Sequence, residues 1–161
     1  MTDSSSVFAS VFDRLAHRLR SSNIPFTELR HQPVFTSEEA ATVRGTSLDS
    51  GAKALICKLD EQFALFVIPA SLKLDSKKVR KSTGIRSLRF ATREEVEQLT
   101  GLKPGSIPPF GSLFQLKTYC DGRLAQFSPI NFNAGDHSIS ISMKFDDYLT
   151  AESPELLEVA E

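Results

Sequence analysis

The stretch GLKPGSIPPFG, Gly101 to Gly111, limits the fold more than any other part of the chain. Pro104, Pro108 and Pro109 carry no N–H donor and fix φ. With Gly101, Gly105 and Gly111 around them, the segment can be neither helix nor central strand. Yet regular elements flank it. Thr92-x-x-Glu95 is a capping box whose helix stops at Gly101, and SLFQLKTY after the loop reads as a strand. A stiff loop in that place is either a rigid connector or one wall of a site. Glycine lets a ligand approach the backbone, proline holds the shape, and free N–H groups can serve as an oxyanion hole.

The elements around the loop point to an α/β fold. Val7, Phe8, Val11, Phe12, Leu15 and Leu19 fall at helical spacing, with Ser4 to Ser6 as candidate caps. IPFTELRH predicts a short strand, and Thr36-x-x-Glu39 is a capping box for a helix that stops at Gly45. AKALICKLDEQFALFVIPA predicts a β-hairpin turning at Asp60-Glu61-Gln62, with Phe63 to Ile68 buried on both faces. DSKKVRKSTG predicts a short basic helix capped by Asp75 or Ser76 and stopped by Gly84. SLFQLKTY and RLAQF are expected as strands joined through Asp121-Gly122, a hairpin signal. HSISISM alternates as a strand, FDDYLTA is a last short helix, and ESPELLEVAE is an acidic tail expected to be loose. The expectation is one domain over residues 1–161, with a core from about 24 to 150 and the tail at 151–161. Its sheet is expected to be mixed or mostly antiparallel, with six to seven strands and four or five flanking helices. Hairpins outnumber β-α-β units, which argues against a doubly wound sheet.

Composition narrows the chemistry. Forty per cent hydrophobic residues, including 12 Phe, are enough for a packed core. Cys57 and Cys120 stand far apart, and the three histidines (His17, His31, His137) have no metal-binding spacing, so neither a disulfide framework nor a metal is predicted. No nucleotide-binding glycine motif, zinc-protease motif or nucleophile elbow occurs, and no cofactor is expected. No secretory signal or membrane-length apolar run is visible, so a cytoplasmic protein is the expectation.

Lys53, in GAKALIC, shares a strand face with Leu55 and Cys57. A lysine there either snorkels to the sheet edge or holds its ammonium at a pocket mouth. Asn133-Ala134-Gly135-Asp136-His137 gathers an amide, a carboxylate and an imidazole in one turn. Asn, Gly and Asp are also ordinary turn formers, whereas His137 starts the next strand. Phe110 either roofs a pocket or anchors the loop in the core, and its place between Pro109 and Gly111 favours the pocket. Cys57 on an apolar face reads as a buried thiol rather than a nucleophile. Charge is uneven: Lys73, Lys77, Lys78, Arg80, Lys81, Arg86 and Arg89 face one acidic residue, Asp75, in their segment. Residues 146–161 hold six acidic and no basic groups. The basic segment is a phosphate-binding face or a solvated one.

Together GAKALI, FVIPASLKLDSKKV, FATREEVEQLTGLKPGSIPPFG, FNAG and FDDYL resemble the YbaK/ProX family of aminoacyl-tRNA deacylases, relatives of the editing insertion domain of bacterial prolyl-tRNA synthetase. The resemblance runs from about His31 to Leu149. It implies an α/β fold on a mixed, strongly curved sheet with a small pocket at one end, and hydrolysis, in trans, of the ester joining a wrong amino acid to the tRNA 3′ ribose. The alternative is a non-catalytic module that binds tRNA or a synthetase. Lys53 matches the essential lysine, and Gly105 to Pro109 matches the family's Gly-x-x-x-Pro loop. His137 falls where some relatives carry a pocket histidine, and the full expected substrate-binding set is Gly105, Pro109, Phe110, Gly111, Asn133, Gly135, Asp136, His137 and His31. The expected tRNA contacts are Lys73, Lys77, Lys78, Arg80 and Lys81. Mischarged tRNA is the expected partner, with a synthetase as a second; neither membrane nor DNA is.

Overall fold

The structure is a computed structural model that describes residues 10–161. The candidate caps Ser4 to Ser6, with Val7 and Phe8, lie outside the described residues. Helix α1 (Val11–Ser21) is capped by Ser10, whose Oγ accepts from Asp13 N–H at 3.0 Å. It buries Phe12, Leu15, Ala16 and Leu19, the apolar stripe set by the sequence spacing. Strand β1 (Thr27–Arg30) follows, then α2 (Ser37–Arg44) with the expected Thr36/Glu39 capping box and a left-handed Gly45.

Strands β2 (Ala52–Leu59) and β3 (Gln62–Pro69) form the expected hairpin, with Asp60 and Glu61 alone in the turn because Gln62 already pairs with Leu59. Then come α3 (Ser76–Thr83), capped by Asp75, β4 (Leu88–Phe90), and α4 (Arg93–Thr100) with its Thr92/Glu95 capping box. After the Gly/Pro loop come β5 (Lys117–Asp121), β6 (Ile130–Asn133), β7 (Ile139–Met143), α5 (Phe145–Glu152) and β8 (Glu155–Leu157).

The described strands number eight and form two sheets, not one sheet of six or seven. One has the order β1-β7-β6 and the other β4-β2-β3-β5-β8. They meet at a single parallel bridge between Gly51 and Asn131. A Cβ on Gly51 would lie 2.9 Å from Ala70 Cβ, so this junction needs glycine. Strand β3 is buried on both faces as expected: Leu65 and Val67 enter the main core, while Ala64, Phe66 and Ile68 enter a second cluster with Val79 of α3. Cys57 joins that second cluster, and burial pushes its thiol pKa up to about 12, which fits an inert thiol.

Three expectations are corrected. Ser112 to Phe114 belong to a 3-10 turn (Gly111–Phe114), so the strand begins only at Lys117. Asp121-Gly122 turns no hairpin; Asp121 caps a 3-10 helix (Gly122–Phe127) by accepting from Arg123 N–H, and this helix buries Leu124. β5 instead pairs in parallel with β3, reached by the crossover through α3, β4 and α4. Nor is the acidic tail loose. β8 pairs in parallel with β5, and Val159 and Ala160 are fully buried.

A buried carboxylate holds that end. Asp121 accepts from the Val159 and Ala160 N–H groups and from the Arg123 guanidinium. Burial pushes the Asp121 pKa up, but these hydrogen bonds outweigh it and hold the group below its ordinary value. Replacing Asp121 by Ala leaves two buried amides without acceptors, at about 1–3 kcal/mol each. Urea unfolding is expected to show a lower midpoint, and hydrogen exchange should accelerate first in residues 155–160.

Candidate active site

Strand β4 is short and pairs with Cys57–Leu59 only, so it leaves the first half of β2 without a ladder partner on that edge. A cavity of about 220 Å³ lies along this open edge. Its walls come from β2 (Ala52–Leu55), α2 with its capping turn, the end of β6 (Asn131–Asn133), and Gly105 and Ile107 of the Gly/Pro loop.

Lys53 lines the cavity, and its Nζ donates to Leu72 O at 3.0 Å. Burial lowers its pKa; Glu38 opposes that shift and the charge of Lys73 adds to it. Arg44 is the second cation in the wall. Its Nε donates to Ser140 Oγ at 2.8 Å and its Nη2 to Asn133 Oδ1 at 2.9 Å. Burial lowers the Arg44 pKa to about 10. No carboxylate lies within ion-pairing distance of either cation among the described residues.

The loop itself is held by its carbonyls. Asn133 Nδ2 donates to Gly105 O at 2.8 Å, Gly135 N–H to Ser106 O, His137 Nε2 lies 3.3 Å from Pro104 O, and Tyr148 OH donates to Pro109 O. Of the loop's N–H groups, Ser106 donates to Lys103 O and Phe110 to Pro108 O. The N–H groups of Gly105 and Ile107 have no protein acceptor among the described residues, and both residues line the cavity. Gly105 and Ile107 therefore each keep a backbone donor for a ligand, whereas the carbonyls of Pro104, Gly105, Ser106 and Pro109 already accept from protein groups. Gly105 has φ +90°, a conformation that a side chain strains. A Cβ there would point at His137, 3.5 Å from Nε2.

The predicted site residues divide accordingly. Lys53, Gly105 and Asn133 share the cavity wall. Gly135 and His137 brace the loop. His31 sits further back. Its Nε2 is 2.7 Å from Ser140 Oγ and its Nδ1 is 2.8 Å from Gln32 O. Gln32 O can only accept, so Nδ1 carries a proton and donates to it, and a neutral His31 then accepts the Ser140 hydroxyl proton at Nε2 while Ser140 Oγ accepts from Arg44. Asp136 does not line the cavity and accepts from Ser138 N–H and Oγ–H, which is turn chemistry.

Pro109, Phe110 and Gly111 do not line the cavity. Phe110 is 0% exposed and packs edge-on against Tyr148, with ring centroids 5.2 Å apart, and against Phe132. The pocket role expected of it is replaced by core anchoring, because the proline pair directs the chain inward just before it. Gly111 N–H donates to Thr118 Oγ1, and Thr118 Oγ1 and Ser112 in turn donate to the buried Glu152 carboxylate. Lys78, expected to contact tRNA, instead donates to Glu158 and Ala160 O, while Lys73, Lys77, Arg80 and Lys81 are exposed.

Sequence reasoning missed Arg44, Asn131, Ile107 and Phe35 in the wall. Arg44 looks like an ordinary basic residue in the last turn of a helix, and Phe35 like the apolar residue before an N-cap. Only the fold brings them to Lys53.

The chain as a whole has relatives. The aminoacyl-tRNA editing domain family matches residues 31–151. The chain belongs to that family. The Multifunctional Ser/Thr-tRNA deacylase ProXp-y of Escherichia coli K12 is 35% identical to this editing domain over 149 residues, covering 89% of each chain. The Prolyl-tRNA editing protein ProX of Acetoanaerobium sticklandii is 25% identical over 136 residues, 81% of this chain and 83% of that one. A crystal structure of a candidate trans-editing enzyme for prolyl tRNA synthetase superposes with TM-score 0.80 at 25% identity, covering 94% and 97% of the two chains. Among the described residues of the editing domain, no group of His, Cys, Asp and Glu could hold a metal ion, and no helix is long and apolar enough to cross a membrane.

The position of Phe110 sets a test. Phe110→Ala is expected to destabilise the protein by about 3–5 kcal/mol through the cavity it leaves. It should lower turnover on every substrate alike. A melting-temperature drop with an unaltered substrate ranking is the expected pair of results.

Proposed function

We propose that the editing domain hydrolyses, in trans, the ester between a misattached amino acid and the 3′ ribose of a tRNA. The observation that carries this reading is the sharing of one cavity by Lys53 and the unpaired N–H groups of Gly105 and Ile107. Water adds to the ester carbonyl carbon, the bond to the ribose oxygen breaks, and the proton from water passes to that oxygen. The vicinal ribose hydroxyl is placed to relay it. The protein orients the ester and stabilises negative charge on the carbonyl oxygen: Gly105 and Ile107 supply hydrogen bonds and Lys53 supplies an ammonium. An aminoacyl ester is already activated, so no protein nucleophile is needed.

A volume of about 220 Å³ is below the 300–1,000 Å³ usual for drug-sized ligands, which favours a small aminoacyl group. Small side chains (Ala40, Ala41, Ala52, Ala54) share the wall with the polar Ser37, Ser47 and Asn131. With the Ser/Thr-tRNA deacylase as a relative, we assign seryl and threonyl esters as the preferred substrates. A panel of tRNAs charged with serine, threonine, alanine and phenylalanine tests this, and fast loss of phenylalanine would overturn it. Lys53→Ala is expected to slow deacylation about 30- to 1,000-fold, for a lost interaction of about 2–4 kcal/mol. A wild-type rate in that variant would remove the hydrolytic role of Lys53. Because burial lowers the Lys53 pKa, the charged form is lost at lower pH than in a free lysine. The rate should therefore fall on the alkaline side, below the ordinary lysine value of 10.5, and that limb should vanish in Lys53→Ala.

The exposed Lys73, Lys77, Arg80 and Lys81 form the proposed phosphate contact, and Lys73 is close enough to the cavity to act on the Lys53 charge. Removing Lys77 and Lys81 together is expected to weaken tRNA binding and reduce the slope of log K against log salt by about 1–2. Lys78→Ala should instead loosen the C-terminal segment.

A further inference from the structure

Phe35 is 70% exposed, and single exposed apolar side chains are common on protein surfaces. Three observations set this one apart. It stands in the wall of the cavity that holds Lys53. Its ring rests on His137, with centroids 4.8 Å apart and planes inclined by 38°. Its backbone is also fixed: Phe35 N–H donates to Glu39 Oε1 at 3.0 Å, and Val34 N–H donates to His137 O at 3.0 Å, with the Val34 side chain buried beside it. The capping box and the β7 end thus hold an aromatic ring at the cavity mouth with one face against an imidazole and most of its surface in solvent.

We infer that Phe35, backed by His137, is the stacking platform for the terminal nucleobase of the tRNA acceptor end. The inference rests on the aminoacyl-ester reading of the cavity. A cavity of about 220 Å³ that takes a small aminoacyl group has no room for a nucleoside as well, so the terminal base must lie outside it, at the rim. Every base offers a π-face, and an aromatic ring already resting on an imidazole loses less side-chain freedom when a base stacks on it than an unsupported one would. Stacking at the rim fixes the ribose against the mouth and directs its ester toward Lys53 and Gly105. Phe35 is then a determinant of substrate affinity that reads the presence of a base and tolerates its identity.

The test compares aminoacylated minihelices that end in an intact adenosine with ones whose terminal ribose carries no base. In the wild type, removing the base is expected to raise KM about 5- to 150-fold, the range for one base–aromatic stack. Phe35→Ala and Phe35→Leu should raise KM by a similar factor on the intact substrate and add little on the base-free one, while Phe35→Tyr restores the wild-type value. Additive effects of the variant and the missing base, or an unchanged KM in Phe35→Ala, would overturn the platform. Independently, titration with the trinucleotide CCA should shift the Phe35 ring and adenine proton resonances in wild type and Phe35→Tyr, with no such adenine shift in Phe35→Leu. Absence of those shifts in the wild type would also overturn it. CCA binding on Phe35 in a protein that cleaves no aminoacyl ester would retain the platform and remove the hydrolase. Cleavage indifferent to Phe35 would do the reverse.

Discussion

The hydrogen bond from Asn133 Nδ2 to Gly105 O is the contact on which the site depends. A Gly/Pro loop has both donors and acceptors, and a binding wall needs one kind presented. Here the carbonyls of Pro104, Gly105, Ser106 and Pro109 are all occupied by protein donors from the β6–β7 region and from α5. The N–H groups of Gly105 and Ile107 are left over. The asymmetry is reinforced from behind: Arg44 donates to Asn133 Oδ1, so the amide can present only its NH₂ to the loop. Ser140 and His31 extend the same line of hydrogen bonds to β7 and the residue after β1. Orientation of the loop is thereby coupled to the small sheet rather than to the loop's own stiffness.

The two-sheet architecture explains why the cavity lies where it does. β3 is buried on both faces, so no site can open over its middle. β2 is its neighbour, and β4 covers only the second half of it. The first half keeps a free edge, and the sheets separate there after the single Gly51–Asn131 bridge. A side chain at Gly51 would push Ala70 away and close or distort this junction. The opposite ends of the loop have different duties. Gly105 and Ile107 face the cavity, whereas Phe110 is locked between Phe132 and Tyr148. Burial pushes the Tyr148 pKa well above its ordinary value, so its hydroxyl stays a donor to Pro109 O.

Features that act within one turn of chain were legible in the sequence. Both capping boxes, the Asp75 cap and the glycine stops at 45, 84 and 101 stand as the local pattern dictates. So does the hairpin, although its turn is one residue shorter than expected, because an apolar run beside a short polar turn has few alternatives. What failed depended on distant partners. Asp-Gly signals a hairpin turn only if a strand follows, and at Asp121 the carboxylate instead reaches Val159 and Ala160, 38 and 39 residues away. The same contact orders a tail whose acidic composition alone suggests disorder. Lys53 could be named because a charge on an apolar strand face is anomalous locally. Arg44 could not: a basic residue before a C-capping glycine is ordinary, and its burial arises only when β6 and β7 close over it.

The charge of the cavity is the remaining constraint. Arg44 and Lys53 are both partly desolvated, and each is held only by neutral oxygens. Burial lowers both pKa values, so in the window below the ordinary values the folded state binds fewer protons than the unfolded one. Stability then rises with pH through that window, which means that at neutral pH the two charges work against folding. A carboxylate in the wall would relieve this cost. It would also compete with an incoming carbonyl oxygen or phosphate for the same cations. The neutral acceptors hold the side chains in position without neutralising them. Electrostatic attraction is therefore still available when a ligand oxygen that carries or develops negative charge arrives. The proposed ester hydrolysis draws on the same property: on that reading, the stabilisation withheld from the free protein is realised as charge builds on the substrate.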